Sequence, residues 1–208
     1  MKKVDKLRDN ALNMKQEYLV SNHKICRTID AIFVDEIKHF HHLFNNFNEV
    51  YGCVDSSEIP AILESVKKIF ESCKVILVDE YQSKFEKNVD GLVVTMYDFF
   101  IRKLSNPCVK QPVRDLDRYL SEICKFECFK FQNKLEDALI DFSEEFVYRY
   151  INSDEAKRDF VHLMKNLNYS IVCEMKKAIS NSIEDKQEIA MRYNRLNKSV
   201  TSKSRDCT

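Results

Sequence analysis

The chain has 208 residues, 33 basic side chains against 33 acidic ones, and only 2 glycines and 3 prolines. The zero net charge argues against a dedicated nucleic-acid binder, which is usually basic. Tight turns and sheet corners lean on Gly and Pro, so their scarcity leaves long helices as the simplest reading.

An apolar fraction of 44% supports a core, and a charged fraction of 32% suits helices with one wet face. The first residues, MKKVDKLRDNALNMKQEY, hold no apolar h-region, so no signal peptide is expected. No run approaches the roughly 20 apolar residues that span a bilayer. The eight cysteines form no CxxC and read as reduced, buried small hydrophobes.

The first segment runs from about Val4 to Tyr51. Apolar residues recur every three or four positions, at Val4, Leu7, Ala11, Met14, Tyr18, Ile25, Ile29, Ile32, Phe33, Ile37, Phe40, Phe44, Phe47 and Tyr51. That spacing is the stripe of an amphipathic helix. Lys2, Lys3, Lys6 and Arg8 open it. Their short apolar side reads as the start of this helix rather than a separate membrane-surface helix. Gly52 suits the position just past the helix end. Ser56 or Ser57 is the expected cap of the next helix, with Pro60 in its first turn.

The second segment runs from about Ile59 to Leu104, with Ile62, Val66, Ile69, Cys73, Ile76, Glu80, Phe85, Val89, Leu92, Met96, Phe99 and Phe100 on its stripe. Gly91 loosens it locally. Pro107 and Pro112 then break the helical path.

The third segment runs from about Val113 to Ile151. Its stripe includes Leu116, Leu120, Ile123, Phe131, Leu135, Ala138, Phe142, Phe146 and Tyr150, while Phe126 and Phe129 fall off it. A helix apolar on more than one face is buried on more than one face. A second copy of the chain is therefore expected to cover it. Ile123, Phe126, Phe129 and Phe131 are the candidate dimer contacts.

Asn152-Ser153-Asp154 reads as a turn with an N-cap. The fourth segment continues to about Leu196, with Phe160, Met164, Leu167, Ile171, Met175, Ala178, Ile179, Ile189, Ala190, Tyr193 and Leu196 on its stripe. Residues 197–208 read as a polar, disordered tail. The expected fold is all-α, an elongated antiparallel bundle of three to four long helices in residues 1–196, with segments of about 40 residues each about 60 Å long.

Little in the sequence points to catalysis. Asp35, His39 and His42 are a weak metal candidate on a wet helix face. Glu36-x-x-His39 and Asp159-x-x-His162 have the spacing of di-iron bundle ligands, but both histidines fall away from the apolar stripe. There is no Walker loop, dinucleotide glycine pattern, nucleophile elbow or HExxH. The reading is a non-enzyme with no cofactor and no metal.

Two stretches resemble a known family. In KLSNPCVKQPVRDLDRYLSEICKFECFKFQNKLEDAL, the apolar Leu104 precedes a break, then come Asp115-Leu116, the spaced Phe126, Phe129 and Phe131, and a Leu135-x-x-Ala138-Leu139 ending. In EAKRDFVHLMKNLNYSIVCEMKKA, Arg158, Phe160 and Tyr169 follow one another. These are similar to helices of BAR domains, nearest the group found beside PH and ArfGAP modules and in microsporidian spore wall proteins of BAR type. The order and lengths of the long segments fit over roughly residues 5–196.

The resemblance implies a homodimer with a central six-helix bundle. It also implies a cytoplasmic, peripheral membrane-binding or curvature-sensing scaffold pressing cations against anionic phospholipid, at the plasma membrane or a spore wall. It places a tip near Phe142–Arg158. Candidate lipid contacts are then Lys125, Lys130, Lys134, Arg149, Lys157, Arg158 and Lys165. The chain departs from the pattern because Lys125, Lys130 and Lys134 share no face. Glu144, Glu145, Asp154 and Glu155 also crowd the tip. The alternative is a helical coiled-coil adaptor that binds proteins and not lipid.

Overall fold

The computed structural model describes the backbone of residues 2–109 and 113–202, and the side chains there except at positions 80, 81 and 113–128. The chain forms four helices, α1 (Lys2–Tyr51), α2 (Ile59–Ser105), α3 (Val113–Tyr150) and α4 (Asp154–Ser202), with no strand among the described residues. The all-helical class and the four segments agree with the periodicity. α4 does not stop at Leu196. The helix continues to Ser202 and buries Asn197 and Val200, so the tail expected from position 197 is helical for six residues more.

By their contacts the helices sort into two compact units. One holds Met1–Cys26, Glu80–Lys125 and Ile179–Thr208; the other holds Arg27–Asp79 and Phe126–Ala178. Each helix contributes a part to each unit.

The second unit is a four-helix bundle closed by aromatic rings. Phe33 of α1 meets Phe70 of α2 at 5.8 Å between centroids, and Lys74 of α2 pairs with Asp30 at 3.4 Å. Phe33 and Phe44 meet Phe131 and Phe146 of α3, at 5.9 and 5.6 Å. Phe47 meets Phe160 of α4 at 5.3 Å, and Glu36 accepts a 2.8 Å hydrogen bond from the Ser170 hydroxyl. Rising numbers on α1 thus meet falling numbers on α2 and α4 and rising numbers on α3. That is an up-down-up-down bundle. Phe146 and Phe160 stack at 4.1 Å.

Helix ends follow local rules. Gly52 has φ +58°, and its N–H donates to the Asn48 carbonyl at 2.7 Å, which closes α1 with a left-handed residue. The Asn48 amide then exchanges two hydrogen bonds with the Val54 backbone, at 2.9 and 3.0 Å, and pins the loop. Neither Ser56 nor Ser57 caps α2. Asp55 organises that turn by accepting from the Ser57 backbone N–H at 2.8 Å and its hydroxyl at 2.6 Å. A carboxylate gains more than a hydroxyl from two donors. These bonds hold the Asp55 carboxyl below its ordinary pKa. Pro60 lies in the first turn of α2 as expected. Ser153 caps α4, accepting from the Ala156 N–H at 3.4 Å, with Asp154 and Glu155 in the first turn.

In the first unit, Met14, Tyr18, Phe85, Val89, Val93, Ile189, Ala190 and Tyr193 form one cluster, and Leu7, Phe99, Phe100 and Val200 another. Polar bonds flank them. Lys15 pairs with Asp90 at 2.6 Å, Lys24 with Asp185 at 3.1 Å, and Glu17 takes both Arg192 and the Tyr193 hydroxyl. Asn10 donates to Asn197 at 2.7 Å, which explains why the helix persists past Leu196. Lys186 is fully buried, donates to Ser182 at 2.7 Å and lies 4.4 Å from the Phe85 ring centroid. A buried ammonium persists only with such compensation.

The two glycines give opposite expectations. A Cβ meets nothing within 4 Å at either position. Gly52→Ala is expected to cost about 1–2 kcal/mol through the left-handed backbone alone. Gly91→Ala, inside α2, should gain about 1 kcal/mol. Urea denaturation of the two variants checks both signs.

Candidate functional site

The outer faces of α3 and α4 in the second unit carry most of the residues singled out from sequence. Phe131 is 3% exposed and packs edge-on to Phe33 of its own chain. It is therefore removed from the dimer contacts, because the chain's own α1 covers it. Phe129, two residues earlier, is 65% exposed. The side chains of Lys125, Ile123 and Phe126 lie outside the described residues.

The cations do not converge on one patch. Arg149 is paired with Glu145 at 2.8 Å. Lys157 and Arg158 are exposed in the first turns of α4 and make no ion pair among the described residues, but Asp154, Glu155 and Asp159 are their neighbours in sequence. Lys130 and Lys134 are exposed on α3, and the charge of Lys134 reaches buried Cys73. Burial is the larger effect there and pushes the Cys73 thiol up from its ordinary pKa.

Lys165 belongs to a different surface. A groove of about 240 Å³ runs between α3 and α4, with Leu139, Val161 and Met164 among its lining and Ile140 on its rim. Glu136 and Glu144 stand on the α3 side and Lys165 on the α4 side. Asn168 lines it too.

Helical phase extends both walls. Phe129, Glu136 and Ile140 share one face of α3. Arg158, His162, Lys165, Tyr169 and Lys176 share one face of α4, all exposed, with no acid on that line. Sequence reasoning picked Arg158 and Lys165 and missed Lys176, although its seven- and eleven-residue spacing from Tyr169 and Lys165 was there to read.

At the loop end of this unit, the Tyr51 hydroxyl donates to Asp159 at 2.5 Å, and Tyr150 donates to Glu58 at 3.4 Å. The hydrogen bond to Asp159, helped by desolvation and that carboxylate's charge, pushes the Tyr51 pKa up to about 12.

The histidine constellations disperse. Asp35 pairs with Lys38, His39 contacts Glu36 at 3.4 Å, and His42 contacts Asn46 at 3.4 Å. No group of three or more His, Cys, Asp or Glu is placed to hold a metal among the described residues. Glu36 turns inward to Ser170, a partner no local pattern reveals. No helix among them is long and apolar enough to cross a membrane.

Compared with known proteins, the chain matches no family model, no curated protein and no solved structure. The BAR resemblance rests on its motifs alone.

Two measurements test this description. Phe131→Ala should lose about 3–5 kcal/mol of stability in urea; a loss under about 1 kcal/mol would contradict its burial. In an alkaline absorbance titration, Asp159→Asn should bring one late tyrosine back toward pH 10. Because the folded pKa is the raised one, this contact stabilises fully below about pH 10 and is lost as pH climbs to about 12. An unchanged titration curve would remove the bond.

Proposed function

We propose that this chain is a BAR-type homodimeric helical scaffold that works by docking its helix faces, with anionic membrane as the surface it engages. The observation that carries the reading is the line of Phe129 and Ile140, 65% and 49% exposed on one face of α3, which one chain leaves uncovered. Bare aromatic and aliphatic side chains aligned on one face mark a contact site. Exposed Lys134, Lys157 and Arg158 support the lipid half, each adding about 1 kcal/mol near an anionic surface.

A protein-binding adaptor is the second reading. It is favoured by the ion pair that holds Arg149 to Glu145 and by the acids beside Lys157 and Arg158. Neighbouring acids cancel part of any attraction to lipid.

Light scattering should give twice the chain mass. Co-sedimentation with phosphatidylserine vesicles should occur at low salt and fade by about 0.15 M, where the screening length is about 8 Å. A dimer that ignores the vesicles even at low salt favours the adaptor; a monomer sinks the scaffold reading.

A further inference from the structure

Two walls of opposite charge flank the apolar α3–α4 groove of the second unit. Glu136 and Glu144 line it from α3 and Lys165 from α4, and Lys176 continues the Lys165 line about three turns beyond the groove. All four are exposed, and none makes an ion pair among the described residues. Phe129 and Ile140 lie along the α3 wall. From Arg158 to Lys176, the outward line of α4 holds no acid; the matching line of α3 from Phe129 to Glu144 holds no base.

We infer that this groove is where a second copy of the chain docks, with the two-fold axis running along the groove. The inference rests on the homodimeric part of the reading above and gives it a surface beside the Phe142–Arg158 tip, in place of the central six-helix bundle that the resemblance implies. An isologous contact presents the same patch twice, so the patch must complement itself. A patch with one acidic ridge and one basic ridge does so in only one sense. Rotation about the groove direction lays the partner's α3 over this chain's α4, acid over base on both sides, with the Phe129–Ile140 line shut in between. Rotation about an in-plane axis across the groove lays acid on acid and base on base, which repels. Because α3 and α4 are antiparallel, Lys165 stands level with Ile140, between the heights of Glu136 and Glu144. The ridges can therefore interleave.

This surface differs from the one expected from sequence, since Phe131 has no part in it. It also assigns Lys165 to the subunit contact rather than to lipid.

The experiment reverses each ridge in the full chain. One variant carries Glu136→Lys with Glu144→Lys, the other Lys165→Glu with Lys176→Glu. Circular dichroism should show both folded, because the four side chains are exposed. Sedimentation velocity should show each homodimer weakened by about tenfold or more, since every contact then meets like charge. Mixed in equal amounts, the two should form a heterodimer as tight as the wild type, because the reversed α3 ridge of one meets the reversed α4 ridge of the other, again with opposite signs, while the two native ridges meet each other. Phe129→Ser should weaken the dimer with no change in charge. A wild-type dimer indifferent to both reversals overturns this surface and leaves the dimeric reading standing. Weakening without rescue on mixing overturns the charge pairing. A wild-type monomer overturns both.

Discussion

The burial of one stripe along α1 is the constraint on which the rest of the structure depends. Leu7, Met14, Tyr18, Ile25, Ile29, Phe33, Phe40, Phe44 and Phe47 are all buried. A helix of 50 residues with so regular a stripe cannot keep it from water alone. The other three helices answer it in register. Phe70, Phe131 and Phe160 from α2, α3 and α4 each meet a phenylalanine of α1 in the second unit. In the first unit Phe85 meets Tyr18 edge-on at 6.1 Å. Ring contacts of this kind bring about 0.5–1.5 kcal/mol each beyond the area they bury.

Electrostatics shape the surface more than the core. Ion pairs such as Lys67–Glu64, Lys177–Glu174 and Arg149–Glu145 are exposed neighbours on single helices, and such pairs contribute little stability. Their effect is to keep cations and anions interspersed over much of the chain. Against that background, two adjacent ridges of unmixed and opposite sign on α3 and α4 stand out as a place where charge is arranged rather than neutralised. A zero total charge conceals such an arrangement, because composition sums over faces that the fold separates.

Much of the architecture was legible beforehand. The start of α2, the left-handed role of Gly52 and the cap of α4 at Ser153 each rest on a few neighbouring residues, so local chemistry announces them. The details of facing were not. Ile69 and Phe70, Ile76 and Leu77, and Leu92 and Val93 are adjacent apolar pairs in α2; the expected stripe took the first of each, and the bundle buries the second more deeply. Leu196 was expected inside and is exposed, while polar Asn197 is buried because Asn10 stands opposite it. Lys186 and Glu36 were unreadable as interior residues for the same reason. Ser182 shares a helix with Lys186, but Phe85 lies more than a hundred positions away, as Ser170 does from Glu36.

By itself the amino-acid sequence determined that this protein is helical, where its helices begin and, for three of the four, where they end. Those properties follow from residue period, helix caps and the scarcity of glycine and proline, which act within a few positions along the chain. Only the tertiary structure decided that Phe131 serves the chain's own core while Phe129 faces outward, and that an acidic and a basic ridge lie side by side across one groove. Two residues 200° apart on a helix have the same local character. Which of them meets water depends on the helix that packs beside them, and that is set by contacts far apart in sequence.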